Sequence, residues 1–160
     1  MVSEWKIYEL GNIADIVDSL HKIPKQYHSS GYSMVRVTDV KKGTLDLSST
    51  LKVDEDTFVE FSKKHTPTKG DIIFTRVGSC SNSCIVGNET EFCLGQNTVY
   101  IIPKTNSYFL YYFLNSPGGK YQIESSIGGS TQPTISLKSI KDYDIPIPPH
   151  YQNLWVVKRG

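Results

Sequence analysis

Residues 128–149, GGSTQPTISLKSIKDYDIPIPP, constrain the fold more than any other part of this chain. A glycine pair with Ser130, Thr131 and Gln132 leads into a helical turn that starts at a serine, and a short apolar strand follows. Two prolines end that strand and can start a helix, because proline fixes φ and has no N–H. No nucleophile here is paired with a base. The segment predicts a rigid frame that presents hydroxyl and amide groups to a surface.

Length and composition favour one globular domain. The chain has 160 residues, and 38% of them are hydrophobic, which is enough to bury a core. It contains no apolar run of membrane-spanning length, and its first residues do not resemble a signal peptide, so we expect a cytoplasmic protein without a membrane partner. Three cysteines without a CxxC pair, and no paired histidines, argue against disulfides and structural zinc. We expect no cofactor and no metal.

Charge alternates in blocks along the chain although the net charge is only +1. Residues 21–43 contain five basic residues and one acidic residue. Residues 44–62 contain one basic and five acidic residues, and residues 63–76 contain four basic residues and one acidic residue. Such blocks allow one face to be basic in a nearly neutral molecule. Evenly spread, solvated charge is an equally good interpretation of this pattern alone.

Six stretches predict strands, because β-branched and aromatic residues are bounded there by Gly, Asn or Pro. They are residues 5–8, 34–37, 71–77, 84–86, 98–102 and 143–147. Helices are predicted over 54–64, with Asp54 as its cap, over 107–114, and over 120–127 after an interruption at 116–119. The mixture predicts an α+β fold, a twisted and mostly antiparallel or mixed sheet with a few helices.

The aromatic stretch in the helix over 107–114 has two interpretations. It can be a platform on which bases stack. The helical spacing of Phe109, Leu110, Phe113 and Leu114 instead favours a core-facing side, with the tyrosines at its rim.

Methyl transfer to DNA is not favoured by the residues around the Pro148-Pro149 pair. A motif of that kind needs an amide or carboxylate before the prolines and an aromatic ring after them to hold a flipped base. Ile147 and His150 occupy those positions.

Hydrolytic chemistry is also weakly supported. Residues 39–41 form an Asp-x-Lys triplet, with Asp15 and Asp18 as conceivable partners in a magnesium site, but such triplets are common by chance. Cys80 or Cys84 with His65 imitates a nucleophile and its base, although an unpaired cysteine is more often simply buried.

Two polar loops are better candidates for a binding role. Arg76 stands near a strand end and precedes the Gly and Ser tract that ends at Asn82, and residues 128–132 repeat the same chemistry. Glycine permits close backbone approach, hydroxyl groups donate to phosphate oxygens, and amides pair with adenine. Arginine can bind guanine or phosphate. These loops are therefore candidate DNA contacts, although polar loops of this composition are often only connections.

Taken in order, several short segments make the chain resemble a target-recognition domain of the specificity subunit of type I restriction-modification systems. They are Trp5 with residues 10–13, then residues 34–40, 69–78, 94–97, 108–115, 129–132 and 145–149. Each piece is weakly specific, whereas their common order and spacing are more specific.

The resemblance implies a DNA methylase specificity domain fold and a non-catalytic reader of double-stranded DNA. In that family the specificity subunit directs methyltransferase (modification) subunits and a restriction subunit, and some half-length members pair with a second copy of themselves. These are the partners that the resemblance implies here. The extent of the resemblance implies a target-recognition domain over residues 1–150.

The chain departs from the family pattern after the proline pair. The family continues there into a long helix, whereas residues 151–160 retain one glutamine, Gln152, and are expected to form the start of a truncated linker helix or a tail. An alternative function follows from this departure. The chain would be an interaction module that binds modification subunits without productive DNA recognition.

The leading hypothesis is sequence-specific recognition of duplex DNA through the basic blocks and the two loops. We expect the lysines to contact phosphates and the arginines and polar loop residues to lie nearer base edges. The candidate DNA-binding residues are Lys22, Lys25, Arg36, Lys41, Lys42, Arg76, Ser79, Ser81, Asn82, Ser130, Thr131 and Gln132.

Overall fold

The computed structural model describes residues 4–77, 82–128 and 133–152. The elements are β1 (Lys6–Glu9), α1 (Leu10–Ile13), β2 (Ala14–Asp18), β3 (Tyr32–Val35), β4 (Leu51–Val53), α2 (Glu55–Phe61), β5 (Ile72–Thr75), β6 (Ser83–Ile85), β7 (Phe92–Leu94), β8 (Thr98–Pro103), α3 (Ser107–Leu114), α4 (Pro117–Ser125), α5 (Leu137–Lys141) and β9 (Asp144–Ile147). Short 3-10 turns lie at Val37–Asp39 and Pro149–Tyr151. The predicted α+β class is confirmed.

The strands form three sheets rather than the single sheet that the sequence suggested. The largest has the order β2-β8-β5-β6, and all its pairings are antiparallel. A second has the order β4-β3-β7, in which β3 runs antiparallel to β4 and parallel to β7. β1 and β9 form a two-stranded antiparallel ribbon. All three sheets contribute side chains to the buried clusters.

The four-stranded sheet is buried on both faces. Ile72 and Phe74 belong to a core cluster on one face, together with residues from α1, α3, α4 and α5, whereas Ile73 belongs to a second cluster on the other face. β8 alternates in the same way, with Ile101 in the first cluster and Tyr100 in the second. This two-residue period follows from strand geometry. Burial on both faces explains why the inner strand β5 begins with three consecutive apolar residues, Ile72, Ile73 and Phe74.

Local capping signals set most helix starts. Asp54 accepts a hydrogen bond from the N–H of Thr57 at 2.8 Å and begins α2, as predicted, although the helix ends at Phe61 rather than at residue 64. Ser136 caps α5 in the same way, through the N–H of Ser139. The longest helix in the described part has nine residues, and none there is long and apolar enough to cross a bilayer.

The predicted break between the two helices is present, since α3 ends at Leu114 and Ser116 caps α4, but the second helix starts at Pro117 rather than at residue 120. Pro117 occupies its first position, where a missing N–H has no cost. One prediction about this hairpin was wrong. Tyr111 does not lie at the rim of α3. Its ring is buried in the core, and its hydroxyl oxygen accepts a hydrogen bond from the N–H of Gly43 at 2.6 Å. Tyr108 and Tyr112 are exposed, as expected.

The sequence did not predict β2, β4, β7 and α1. These elements have three to five residues each, too few to show a clear period. β2 forms because its whole length, from Ala14 to Asp18, pairs with β8. The six predicted strands are all present, with ends displaced by up to two residues.

The α3–α4 junction requires a glycine at position 119. A Cβ there would lie 2.2 Å from the carbonyl oxygen of Phe113 and 2.9 Å from the Cα of Leu114. We expect Gly119→Ala to lower the free energy of unfolding by about 1–3 kcal/mol, because this packed backbone contact cannot open locally. Urea denaturation measures the change.

Gly118→Ala is the matched control for this prediction. The nearest atom to its Cβ would be a ring carbon of Phe113 at 3.8 Å, which is ordinary contact. Alanine is the better helix former by about 1 kcal/mol, so this variant should be neutral or more stable. Equal stability losses for both variants would contradict the close-packing explanation.

Candidate nucleic-acid interface

Four strand ends meet at one end of the four-stranded sheet. Asp18 at the end of β2 pairs with Val99 near the start of β8, and Thr98 pairs with Thr75 at the end of β5. The start of β6 is Ser83, which pairs with Phe74. We call this end the loop edge and define it as residues 18–19, 75–77, 82–83 and 96–98. Because these residues belong to or adjoin four hydrogen-bonded strands, their backbone positions are fixed relative to one another.

The described flanks of the two predicted polar loops lie side by side next to the loop edge. Residues 78–81 and 129–132, which include the candidates Ser79, Ser81, Ser130, Thr131 and Gln132, lie outside the described residues. Their flanks are described. Val77 and Gly128 both form β-bridges with Thr134, and the N–H of Ile135 donates to the carbonyl oxygen of Arg76 at 2.8 Å. The starting points of both loops are therefore joined by backbone hydrogen bonds.

Arg76 connects three segments at the loop edge. Its Nε donates to the carbonyl oxygen of Ile135 at 2.9 Å, and its Nη1 lies 3.2 Å from Oδ2 of Asp18. Its backbone N–H donates to the carbonyl oxygen of Asn97 at 2.8 Å. The Arg76 side chain is 19% exposed. This guanidinium group is largely occupied by protein partners, so the geometry favours a positioning role over the base contact that the sequence suggested.

A groove of about 280 Å³ opens beside the same edge. Its polar lining includes Lys22, Arg36, Thr38, Gln96 and Asn97. Arg36 is partly exposed, with its Nε 3.5 Å from Oδ2 of Asp39. Asn97 has a φ of 64°, a left-handed conformation that asparagine tolerates in tight turns.

The exposed amides of Gln96 and Asn97 were not among the candidate site residues. The turn that presents them is held at both ends, since Gly95 donates its N–H to Val35 and accepts from the Thr98 hydroxyl. The sequence signal for these residues was a Gly-Gln-Asn turn between two strands. It was not recognised because β7, the strand before the turn, was not predicted.

Lys22 and Lys25 do not lie on a purely basic face. Nζ of Lys22 is 2.9 Å from Oε2 of Glu60. Both lysines line a second groove, of about 420 Å³, together with the acidic Asp54, Asp56 and Glu60 of the α2 region. The acidic block therefore folds onto part of the first basic block. Lys22 is thus paired with Glu60 in this structure, and its contact with phosphate stays a prediction.

Lys41 and Lys42 are exposed, and neither forms an ion pair with any residue that the structure describes.

Asn82 is buried, and its Oδ1 accepts a hydrogen bond from Nζ of Lys120. Burial, followed by the positive charge of Lys42, holds the pKa of Lys120 below its ordinary value. A cationic patch of Lys42 and Lys120 thus lies where the first loop returns to β6.

The alternative catalytic sites are not assembled. Oδ2 of Asp39 accepts the N–H of Arg36 at 2.9 Å, while Asp15 is 3.2 Å from Lys104 and Asp18 pairs with Arg76. Within residues 4–77, 82–128 and 133–152, no three His, Cys, Asp or Glu side chains are grouped to hold a metal.

The conceivable thiol nucleophile is inert for a different reason. Burial raises the pKa of the Cys84 thiol to about 12, so it carries almost no thiolate at neutral pH. No hydrogen bond joins His65 to Cys84 in the described part of the chain, where Nε2 of His65 lies 2.8 Å from Oδ2 of Asp71. Cys80 lies outside the described residues.

The fold is similar to those of solved specificity subunits. One is the S subunit of a type I restriction-modification system from M. genitalium, with a TM-score of 0.62 and 16% identity over 99% of this chain and 38% of that chain. Another is the HsdS subunit from Thermoanaerobacter tengcongensis, with a TM-score of 0.65 and 13% identity over 98% of this chain and 37% of that chain. These likenesses establish the fold.

Sequence comparison leads to the same group of proteins. The chain is 25% identical over 132 residues to the type I restriction enzyme EcoBI specificity subunit of Escherichia coli. The aligned region covers 81% of this chain and 28% of that subunit. The chain thus spans about a third of the length of the proteins that it matches. Residues 2–154 match the family model described as the type I restriction modification DNA specificity domain, and the chain therefore belongs to this family.

Proposed function

We propose that this chain recognises a specific sequence in double-stranded DNA as a non-catalytic reading domain. One observation carries the proposal: the flanks of both polar loops are joined by backbone hydrogen bonds at the rigid loop edge. Membership of a DNA specificity family supports it. Loops on a fixed scaffold can read base edges, because their position costs little entropy on binding.

In this proposal the cations and the loops have separate roles. Lys41 and Lys42 contact phosphates and set the register, whereas Thr131 and Gln132 approach base edges. Arg36 faces the groove with Gln96 and Asn97 and can reach either a base or a phosphate. The hydroxyls of Ser79, Ser81 and Ser130 donate to phosphate oxygens. Lys25 contributes less than the sequence suggested, since acidic side chains line its groove.

We further propose that the chain delivers its specificity to methyltransferase and restriction subunits. Support comes from the names of its relatives, which are specificity subunits of type I systems. The chain matches about a third of their length, and recognition of a two-part site would take two reading domains of this kind. The target-recognition domain over 1–150 and a cytoplasmic location remain parts of this proposal.

Selection from a randomised duplex pool tests the function. The 160-residue chain should enrich one short motif, and the enriched duplex should bind more tightly than a shuffled duplex at the same salt concentration. Retention of duplexes without any enriched motif would contradict sequence-specific recognition. Mixing with modification subunits, followed by size-exclusion chromatography, tests the proposed partners.

Gln132→Ala and Lys42→Gln should separate base reading from phosphate binding. Loss of the amide should weaken binding to the selected duplex by about 1–3 kcal/mol and leave binding to the shuffled duplex nearly unchanged. Loss of the lysine should weaken both and lower the slope of log Kd against log salt by about one. Fluorescence anisotropy at several salt concentrations measures both effects. Equal losses on the two duplexes for Gln132→Ala would argue against base readout.

Arg76→Lys tests whether Arg76 positions the loops. Lysine keeps the charge but cannot reproduce the planar fork that joins Ile135 and Asp18. We expect roughly tenfold weaker binding to the selected duplex, a value within the range for one misplaced contact, and little change on the shuffled duplex. Hydrogen exchange at the Ile135 N–H should become faster in the free protein. Unchanged exchange with the same loss of affinity would indicate direct base contact instead.

A further inference from the structure

A half-buried lysine that the sequence did not single out lies beside the first polar loop. Lys120 is in α4, and its Nζ donates to Oδ1 of Asn82, the first described residue after the loop at 78–81. Asn82 in turn accepts the N–H of Thr75 through its carbonyl oxygen at 2.7 Å. Lys120 is thereby attached to the end of the loop that returns to the sheet.

Three contacts fix this lysine relative to the turn that carries Lys42. The α3–α4 hairpin holds that turn through Tyr111, whose hydroxyl accepts the N–H of Gly43. It holds the start of β6 through Asn115, whose Nδ2 donates to Oγ of Ser83 at 2.9 Å. The third contact is that of Lys120 itself. Together they attach the hairpin that carries Lys120 to the turn that carries Lys42, although the two lysines are 78 positions apart in the chain.

The charge of Lys120 is not neutralised by the protein. Among the residues that the structure describes, no carboxylate lies within ion-pair distance of its Nζ. Burial and Lys42 both disfavour the ammonium form, and only Glu124 acts weakly in the opposite direction. Two lysines held near each other in this way repel, and an anion placed between them would remove the repulsion.

We infer that Lys120 and Lys42 jointly bind one backbone phosphate of the duplex beside the loop at 78–81. Asn82 is then a positioning residue that orients Lys120, rather than a reader of bases. This inference rests on the proposed DNA-reading function. It adds the point at which the first loop is anchored to the DNA backbone, which determines where its polar side chains meet the groove.

The salt dependence of binding tests the shared phosphate. Lys120→Gln should lower the slope of log Kd against log salt by about one, and Lys42→Gln with Lys120→Gln together should lower it by about one rather than two, because a single contact is lost. Lys120→Arg should keep the slope.

Lys104→Gln is the matched control. Lys104 follows β8 at the end remote from the loop edge, about 20 Å away at about 3.3 Å per residue, and it pairs with Asp15. Its loss should leave the slope unchanged. A slope that falls equally in Lys104→Gln and Lys120→Gln would overturn the inference, because it would report net charge alone.

A second readout uses the unaltered protein and does not depend on how variants fold. The pKa of the Lys120 ammonium group, followed by nitrogen-15 NMR of lysine side chains, should rise when the selected duplex binds, because a phosphate favours the charged form. Absence of binding to any duplex would refute the proposed function itself. Binding with an unchanged pKa of Lys120 and an unchanged slope in Lys120→Gln would refute this inference alone.

Discussion

The guanidinium group of Arg76 is the interaction on which the candidate interface depends. It joins the end of β5 to Asp18 at the end of β2 and to Ile135 after the second loop. The Asp18 side chain is only 9% exposed, and it also accepts the N–H of Ser19 and lies 2.8 Å from Nε2 of His21. A buried carboxylate that loses one of its charged partners is destabilised. The backbone bridges of Val77 and Gly128 to Thr134 complete the junction. One side chain thus couples the stability of the sheet end to the geometry of both loops.

The distribution of charge follows from how the blocks fold. The acidic residues of α2 lie against Lys22 and Lys25, so part of the first basic block faces carboxylates. Lys41 and Lys42 line a groove with Asp39 and Asp46 but form no ion pair with a described residue. The fold adds Lys120 to them from a helix distant in sequence. A nearly neutral protein therefore presents a local cationic patch beside the flanks of its polar loops, which suits binding to a phosphate backbone.

Much of the fold could be predicted because its signals are local. Asp54 and Ser136 cap their helices within three residues, and the apolar run in β5 and the alternation in β8 identify strands without knowledge of their partners. The order of weak motifs identified the family, which the family model confirms. The short elements α1, β2, β4 and β7 were missed, and β2 and β7 depend on strands that are far away in the chain for their hydrogen bonds.

The amino-acid sequence by itself determined the α+β class, the capped helices, the polar loops and membership of the DNA specificity family. Only the tertiary structure decided that Arg76 is enclosed by protein partners, that Tyr111 is buried under Gly43, and that Lys120 stands beside Asn82. Capping and strand periodicity act over a few residues and leave a local pattern. These side-chain contacts join residues 38 to 68 positions apart, so no local pattern records them.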